Sequence, residues 1–341
     1  MELDPETVLT AVYCLVDDLY RTVFAPLKPV RPGPAPVLSD SEVLTLMVLA
    51  QWQPSERAFV RSVRRHWRDY FPAMVSQSRF NRRGRDLWGV LCALGPRVAR
   101  ELAAVLGEGA YEAVDGVPVP LMRRCRGERH RCFADEAAVG RGGSDRTWFY
   151  GVKLVAAVDA HGCVTGFVLV PAATEEHWGA EALYRWRADS TAGAPTAPEL
   201  APVLGPAHRQ RGQRVGPTGP IGPRCGVGQP SGTPSVTDGG YRGRDWHAHW
   251  RATWNTTVLC TTDVPWGPVM RPLASLRQVV ETAFSALTDT LRLAFPRART
   301  RWGLWTRVGA KIAALNLARW LAHAAGLPRL ALPNPFTGAA I

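Results

Sequence analysis

Paired cysteines are missing from this chain. Its seven cysteines are an odd number, scattered from Cys14 to Cys260 without a Cys-x-x-Cys spacing, which argues against a disulfide framework and against a zinc ribbon. Reduced thiols of a cytosolic protein are the expectation. Also missing is any uninterrupted apolar run of about 18 residues, the length a membrane-spanning helix needs. The first residues, Met1-Glu-Leu-Asp-Pro-Glu6, carry acids where a secretory signal requires bases. A soluble, cytoplasmic protein with no membrane association is therefore expected. Acids are in short supply too: 29 Asp and Glu stand against 41 Lys and Arg, a formal charge of +12. Such an excess points to a polyanionic partner, nucleic acid first. Finally, residues 188–234 lack an aromatic or β-branched pattern and are crowded with Pro, Gly and Arg, so that stretch cannot build a core by itself. Its triplet run Gly216-Pro-Thr-Gly-Pro-Ile-Gly-Pro-Arg224 is far too short for a collagen helix and reads as flexible insertion.

What is present divides at about residue 105. Over 6–25 the apolar positions Val8, Leu9, Val12, Leu15, Val16, Leu19 and Val23 have helical spacing, and the Pro-rich stretch 26–36 ends that helix. Ser39-Asp-Ser-Glu42 predicts a capping box before the apolar run 43–50. Residues 56–67 and 78–94 continue the helical pattern and are dense in arginine, among them Arg79, Arg82 and Arg83. The expectation is an all-helical, basic, DNA-binding domain over 1–105, with 76–87 as the preferred recognition helix.

Beyond it the pattern alternates. Residues 111–119 predict a strand ending near prolines, and 148–158 and 163–170 predict a hairpin turning at Asp159-Ala-His-Gly162. Helix is expected over 175–188, a short strand over 258–262, a long amphipathic helix over 273–291 and a last helix over 308–325. Three acids stand out. Asp115 interrupts an otherwise apolar strand, where a carboxylate is costly unless paired. Asp238 ends the short apolar approach in Val236-Thr-Asp-Gly-Gly-Tyr241, and Glu281 lies on the helix in Leu276-Arg-Gln-Val-Val-Glu-Thr-Ala-Phe284. Singly, each has a plain reading: a strand-end Asp accepting turn amides, an ordinary Asp-Gly turn, a solvated helical Glu. Together, strand acid, turn acid and helix acid follow the order used by RNase-H-like polynucleotidyl transferases.

At this point the chain resembles bacterial insertion-sequence transposases of the DDE type, nearest the insertion-sequence 982 group. Leu38-Ser-Asp-Ser-Glu-Val43, Ser78-Arg-Phe-Asn-Arg-Arg83, Val114-Asp-Gly-Val-Pro-Val-Pro120, Phe149-Tyr-Gly-Val-Lys-Leu154, Asp238-Gly-Gly-Tyr241 and Arg277-Gln-Val-Val-Glu281 with Phe284 carry the resemblance. Val155 and Thr288 depart from it, standing where the family commonly has His and Lys. The resemblance implies an α/β fold: an RNase-H-like mixed sheet flanked by helices, preceded by the all-helical N-terminal domain. Its catalytic domain would fall into two parts, 106–187 and 236–326, separated by the insertion 188–235 and followed by a tail over 327–341. It implies metal-dependent cleavage and strand transfer of double-stranded DNA, transposon ends and target, by a nucleoid-associated homodimer. Two Mg2+ ions, replaceable by Mn2+, would be bridged by Asp115 and held singly by Asp238 and Glu281. Lys153, Arg277, Arg79, Arg82 and Arg83 would contact DNA, Arg277 standing one helical turn before Glu281 and so toward the same phosphate. Tyr241 would stack or hydrogen-bond beside the metals, or pack under the turn. The alternatives are an inactivated relic that only binds DNA and an RNase-H-like nuclease.

Overall fold

The computed structural model describes residues 4–28, 33–127, 133, 136–142, 147–191, 233–263 and 270–337. Helix α1 (Pro5–Leu19) starts at Asp4, whose carboxylate accepts the Thr7 amide at 2.9 Å, with proline in the first turn where its missing N–H costs nothing. It continues through one π turn (Tyr20–Phe24). The predicted capping box forms at α2 (Asp40–Leu49): Ser39 Oγ accepts the Glu42 amide at 3.1 Å, and Glu42 Oε2 accepts the Ser39 amide at 2.6 Å. Then come α3 (Glu56–His66), α4 (Gln77–Asp86) and α5 (Trp88–Leu106). The sequence predicts a helical pattern over 78–94 with a helix over 76–87, and α4, capped by Ser76 and ending at Leu87, is that helix. A second helix follows, because the backbone leaves helical geometry at Leu87, and α5 runs on through Pro96.

A mixed sheet follows, in the chain order β1 (Glu112–Arg123), a short α6 (Arg124–Gly127), β2 (Ala138–Gly142), β3 (Thr147–Asp159), β4 (Val164–Pro171), α7 (Glu176–Thr191), β5 (Ser235–Thr237), α8 (Arg244–Trp254) and β6 (Val258–Cys260). Helix α9 (Met270–Ser285) runs into a π turn (Ala286–Thr290), and α10 (Arg301–Ala324) closes the fold. Strand β3 is antiparallel to β1 on one edge; on its other edge the first half pairs with β2 and the second with β4. On the far side of β1 lie β5 and then β6, both parallel. Here β1 runs past the expected end at 119, through Pro118 and Pro120. It tolerates both prolines because β5 pairs only with Glu112 and Ala113, so the amides they lack have no strand to serve.

The sheet is covered on both faces. Ala113, Val117, Val119, Leu154 and Ala156 share a core with α1 to α5, α9 and α10, while Val114, Val155, Ala157 and Val168 pack with Leu183 and Tyr184 of α7 and Trp250 of α8. Helices α5 and α10 meet backbone to backbone at two glycines: a Cβ on Gly95 would lie 2.9 Å from Ile312 Cγ2, and one on Gly309 would lie 2.8 Å from the Cys92 amide nitrogen. At that seam the fully buried Asn316 donates to the Gly95 and Val164 carbonyls at 2.8 and 2.9 Å and accepts the Val164 amide at 2.9 Å. The helices of the first hundred residues are thereby fastened to α10 and β4. The tract over 188–235 lies outside the described residues from 192 to 232. Among the described residues, no helix is long and apolar enough to cross a membrane.

A buried ion pair locks α7 onto β1. Arg187 donates twice to Glu112, at 2.6 and 2.9 Å, and Thr165 Oγ1 donates to the same carboxylate at 2.6 Å; both charged side chains are about 3% exposed. Fork-to-fork geometry satisfies both ions, but removing one strands the other in a dry place. Arg187→Ala should therefore lose about 3–5 kcal/mol in chemical denaturation. Glu112→Leu with Arg187→Met should recover most of the loss, and equal losses for the single and double variants would contradict this account.

Candidate functional site: three carboxylates around one guanidinium

The three acids singled out in the sequence come together in space. Asp115 sits in β1 opposite Ala156, on the face shared with Ala113 and Val117, and its side chain is 17% exposed. Its Oδ1 accepts the Gly116 amide at 2.7 Å. Asp238 follows β5 and caps the 3-10 turn Gly239–Tyr241, Oδ1 accepting the Gly240 amide at 3.0 Å, while Cys260 Sγ of β6 donates to the Asp238 carbonyl at 3.0 Å. Glu281 projects from α9, whose buried residues Val279, Val280, Ala283 and Phe284 fix the rotation of the helix against the sheet. One turn earlier on that helix, Arg277 touches all three. Its Nη2 donates to Asp115 Oδ2 at 3.1 Å and stands 3.7 Å from Asp238 Oδ2, and its Nη1 is 3.0 Å from Glu281 Oε1.

A fourth acid, which sequence reasoning missed, completes the group. A Cβ built on Gly240 would fall 1.3 Å from Glu176 Oε2 and 3.2 Å from Asp238 Oδ1, so the Glu176 carboxylate lies over Gly240, beside that of Asp238. A side chain at position 240 would displace it. At the first position of α7, Glu176 has the appearance of an ordinary acid favoured by the helix dipole, and no local signal marks it as anything more. Tyr241 is fully buried under the same turn, and its hydroxyl has no hydrogen-bond partner. Burial, with the charges of Asp115, Glu176 and Asp238, pushes that hydroxyl well above its ordinary pKa.

Crowding carboxylates in a half-dry place favours their neutral forms. For Asp115 burial dominates and the Asp238 charge adds to it, outweighing the Gly116 amide and Arg277, so its pKa rises to about 6. The guanidinium responds in the opposite sense: burial works against its charge, but Asp115, Asp238 and Glu281 together raise its pKa.

The remaining predicted residues lie elsewhere. Lys153 pairs with Pro118, an odd number of residues along β1 from Asp115, and so faces the other side of the sheet; its Nζ donates to the Thr174 carbonyl at 3.0 Å. Arg79 and Arg82 are exposed on α4, whereas Arg83 is engaged by the buried Asp40 and the Leu38 carbonyl. Helix α8, absent from the sequence reading, carries Trp246, Trp250 and Trp254 at every fourth residue, a spacing that could have revealed it. Its indoles of Trp250 and Trp254 both donate to Glu181 Oε2 of α7 at 3.0 Å, and His177, next to Glu176, stacks on Trp246. Comparisons of the chain with protein-family models, curated proteins and solved structures give no match.

The elevated pKa of Asp115 has a consequence for stability. An unhindered aspartate releases its proton near 3.8, the native one near 6, so between these values the folded state holds more protons and stability falls as pH rises. Asp115→Asn should abolish that fall and, above pH 6, exceed the wild type by on the order of 2 kcal/mol. Urea unfolding at pH 4.5 and 7.5 measures both, and a variant less stable than wild type at the higher pH would overturn the assignment.

Proposed function

We propose that this chain is a DNA transposase of the DDE type with an RNase-H-like core, cutting and rejoining double-stranded DNA at Asp115, Asp238 and Glu281. The observation that carries the reading is convergence: acids from a central strand, from the end of a parallel strand and from a helix, far apart in the chain, meet at a single guanidinium. The sheet supports it. Three antiparallel strands continued by two parallel ones, with an acid in the middle of the first, agree with the mixed sheet that the family resemblance implies. The excess of 41 basic over 29 acidic residues suits a DNA partner.

The donor set fits hard divalent cations. Four carboxylates offer only oxygen, which suits Mg2+, or Mn2+ in its place, in preference to softer ions. As the side chains stand, Arg277 bridges three of them, and among the described residues no three of His, Cys, Asp or Glu are gathered closely enough to hold an ion. Loading the site therefore requires Arg277 to release its bonds. Two such ions, when bound, lower the pKa of a water or 3′-hydroxyl nucleophile and neutralise charge on the phosphodiester. The chain's own groups supply the rest. Asp115, 17% exposed and held by the Gly116 amide, offers a fixed carboxylate between the other acids. Arg277, once freed, stands next to where a phosphate would replace the carboxylates as its partner. The seat of Arg277 among the acids is also what favours the second reading, a chain that binds DNA without cutting it.

These readings separate at the bench. Purified protein with Mg2+ and DNA carrying the element's ends should cut, and should join the 3′ ends to target DNA. Asp115→Asn and Glu281→Gln should each reduce cleavage to background, and Glu176→Gln should cost about ten- to a hundredfold. Hydrolysis without joining would point to a nuclease. Retained DNA binding with no cleavage by the wild type would point to the relic, and cleavage surviving both principal substitutions would remove the carboxylates from the chemistry.

A further inference from the structure

A second charged feature lies apart from the acids. Where the helix of Glu281 ends, the π turn and the loop after it enclose, with the start of α3, a cavity of about 740 Å3. Five cations line it, Arg57, Arg292, Arg297, Arg307 and Lys311, against two acids, Glu56 and Asp289. Glu56 is already paired, its Oε1 3.2 Å from Arg307 Nη2, while Asp289 Oδ2 accepts the Ser285 hydroxyl at 2.8 Å, and the cations still outnumber the two acids. Lys311 is 7% exposed, its ammonium held by Gln51 Oε1 at 2.9 Å and by the Leu291 carbonyl. Burial, and after it the charges of Arg307 and Arg292, depress its pKa to about 7.

The backbone is unusual at the same spot. Arg292 and Arg297 hold left-handed conformations, with φ of +58° and +53°, which cost a residue with a Cβ. Both are arginines, and both line the cavity. Arg292 is the left-handed residue that ends the π turn, the Leu293 amide donating back to the Leu287 carbonyl at 2.8 Å, whereas Arg297 follows no helix end.

We propose that this cavity is a phosphate-binding site for a DNA strand whose neighbouring segment lies at the acid cluster. The choice of DNA as the source of phosphate rests on the proposed function. Thr288 and Asp289 of the cavity wall follow Glu281 by seven and eight residues on one continuous helical stretch, roughly 10 Å at 1.5 Å per residue. Phosphates on one strand advance about 3.4 Å each, so the cavity lies about three nucleotides from the acids. It is also larger than one phosphate requires.

The test uses the full chain with EDTA present, so that binding is read without cleavage. Arg292→Gly with Arg297→Gly removes two charges and relaxes both left-handed residues, so the variant should fold at least as stably as the wild type. Arg251→Ala with Arg329→Ala, both exposed and outside residues 1–105, removes the same charge from elsewhere on the surface. Fluorescence anisotropy with a labelled mixed-sequence duplex should show at least a tenfold loss of affinity for the glycine variant only. The slope of log affinity against log salt should flatten by about 2, near 0.9 for each phosphate that the variant no longer neutralises. Equal losses in both variants would reduce the effect to net charge and overturn the site, as would unchanged DNA binding alongside lost calorimetric binding of inorganic triphosphate. Wild-type protein that fails to cut while the glycine variant still loses DNA removes the enzyme and keeps the site. Acid-dependent cutting with DNA binding intact in that variant does the reverse.

Discussion

Carboxylates repel one another, and the architecture of this chain turns on how that repulsion is met. Asp115, Asp238 and Glu281 occupy one partly buried place, and the cation that touches all three is Arg277. Without it the group would resist assembly, because each ionised acid raises the cost of ionising the next. Burial first, and the Asp238 charge after it, still raise the Asp115 pKa to about 6.

Each element around the group has a recognisable part in placing it. The β1–β3 register sets the face on which Asp115 emerges, the short parallel pairing of β5 sets where Asp238 turns, and the apolar stripe of α9 sets the rotation of Arg277 and Glu281. The buried Glu112–Arg187 pair lies three residues before Asp115 and draws α7 against β1, which brings Glu176 over Gly240. A polar interaction deep in the sheet thus governs an acid at its edge.

Much of this was legible in the sequence, and the exceptions have physical causes. The capping box of α2, the hairpin at Asp159 to Gly162 and the apolar periodicity of α9 are local codes, and the structure reproduces them. Asp115 was legible because an acid in an apolar strand conflicts with its surroundings, Asp238 and Glu281 only through the order of strand, turn and helix acid. Strand β2 was not, since Ala138-Val-Gly-Arg-Gly142 is short, rich in glycine and paired only with β3. Glu176 was not, because what distinguishes it is the bare backbone of Gly240, 64 positions later in the chain. Lys153 shows the limit of motif reasoning: its neighbours match a pattern, yet strand alternation turns it to the face opposite Asp115. Two residues close in a motif can be separated by the thickness of a sheet.

The seam at Gly95 and Gly309 carries an implication for movement. Helices whose backbones touch, with Asn316 stitched across them into β4, have no lubricating layer of side chains along which to slide. Arginine-bearing helices and carboxylate-bearing sheet are then set at a fixed span, like the jaws of a gauge. The adjustment that this packing leaves is the swing of long side chains.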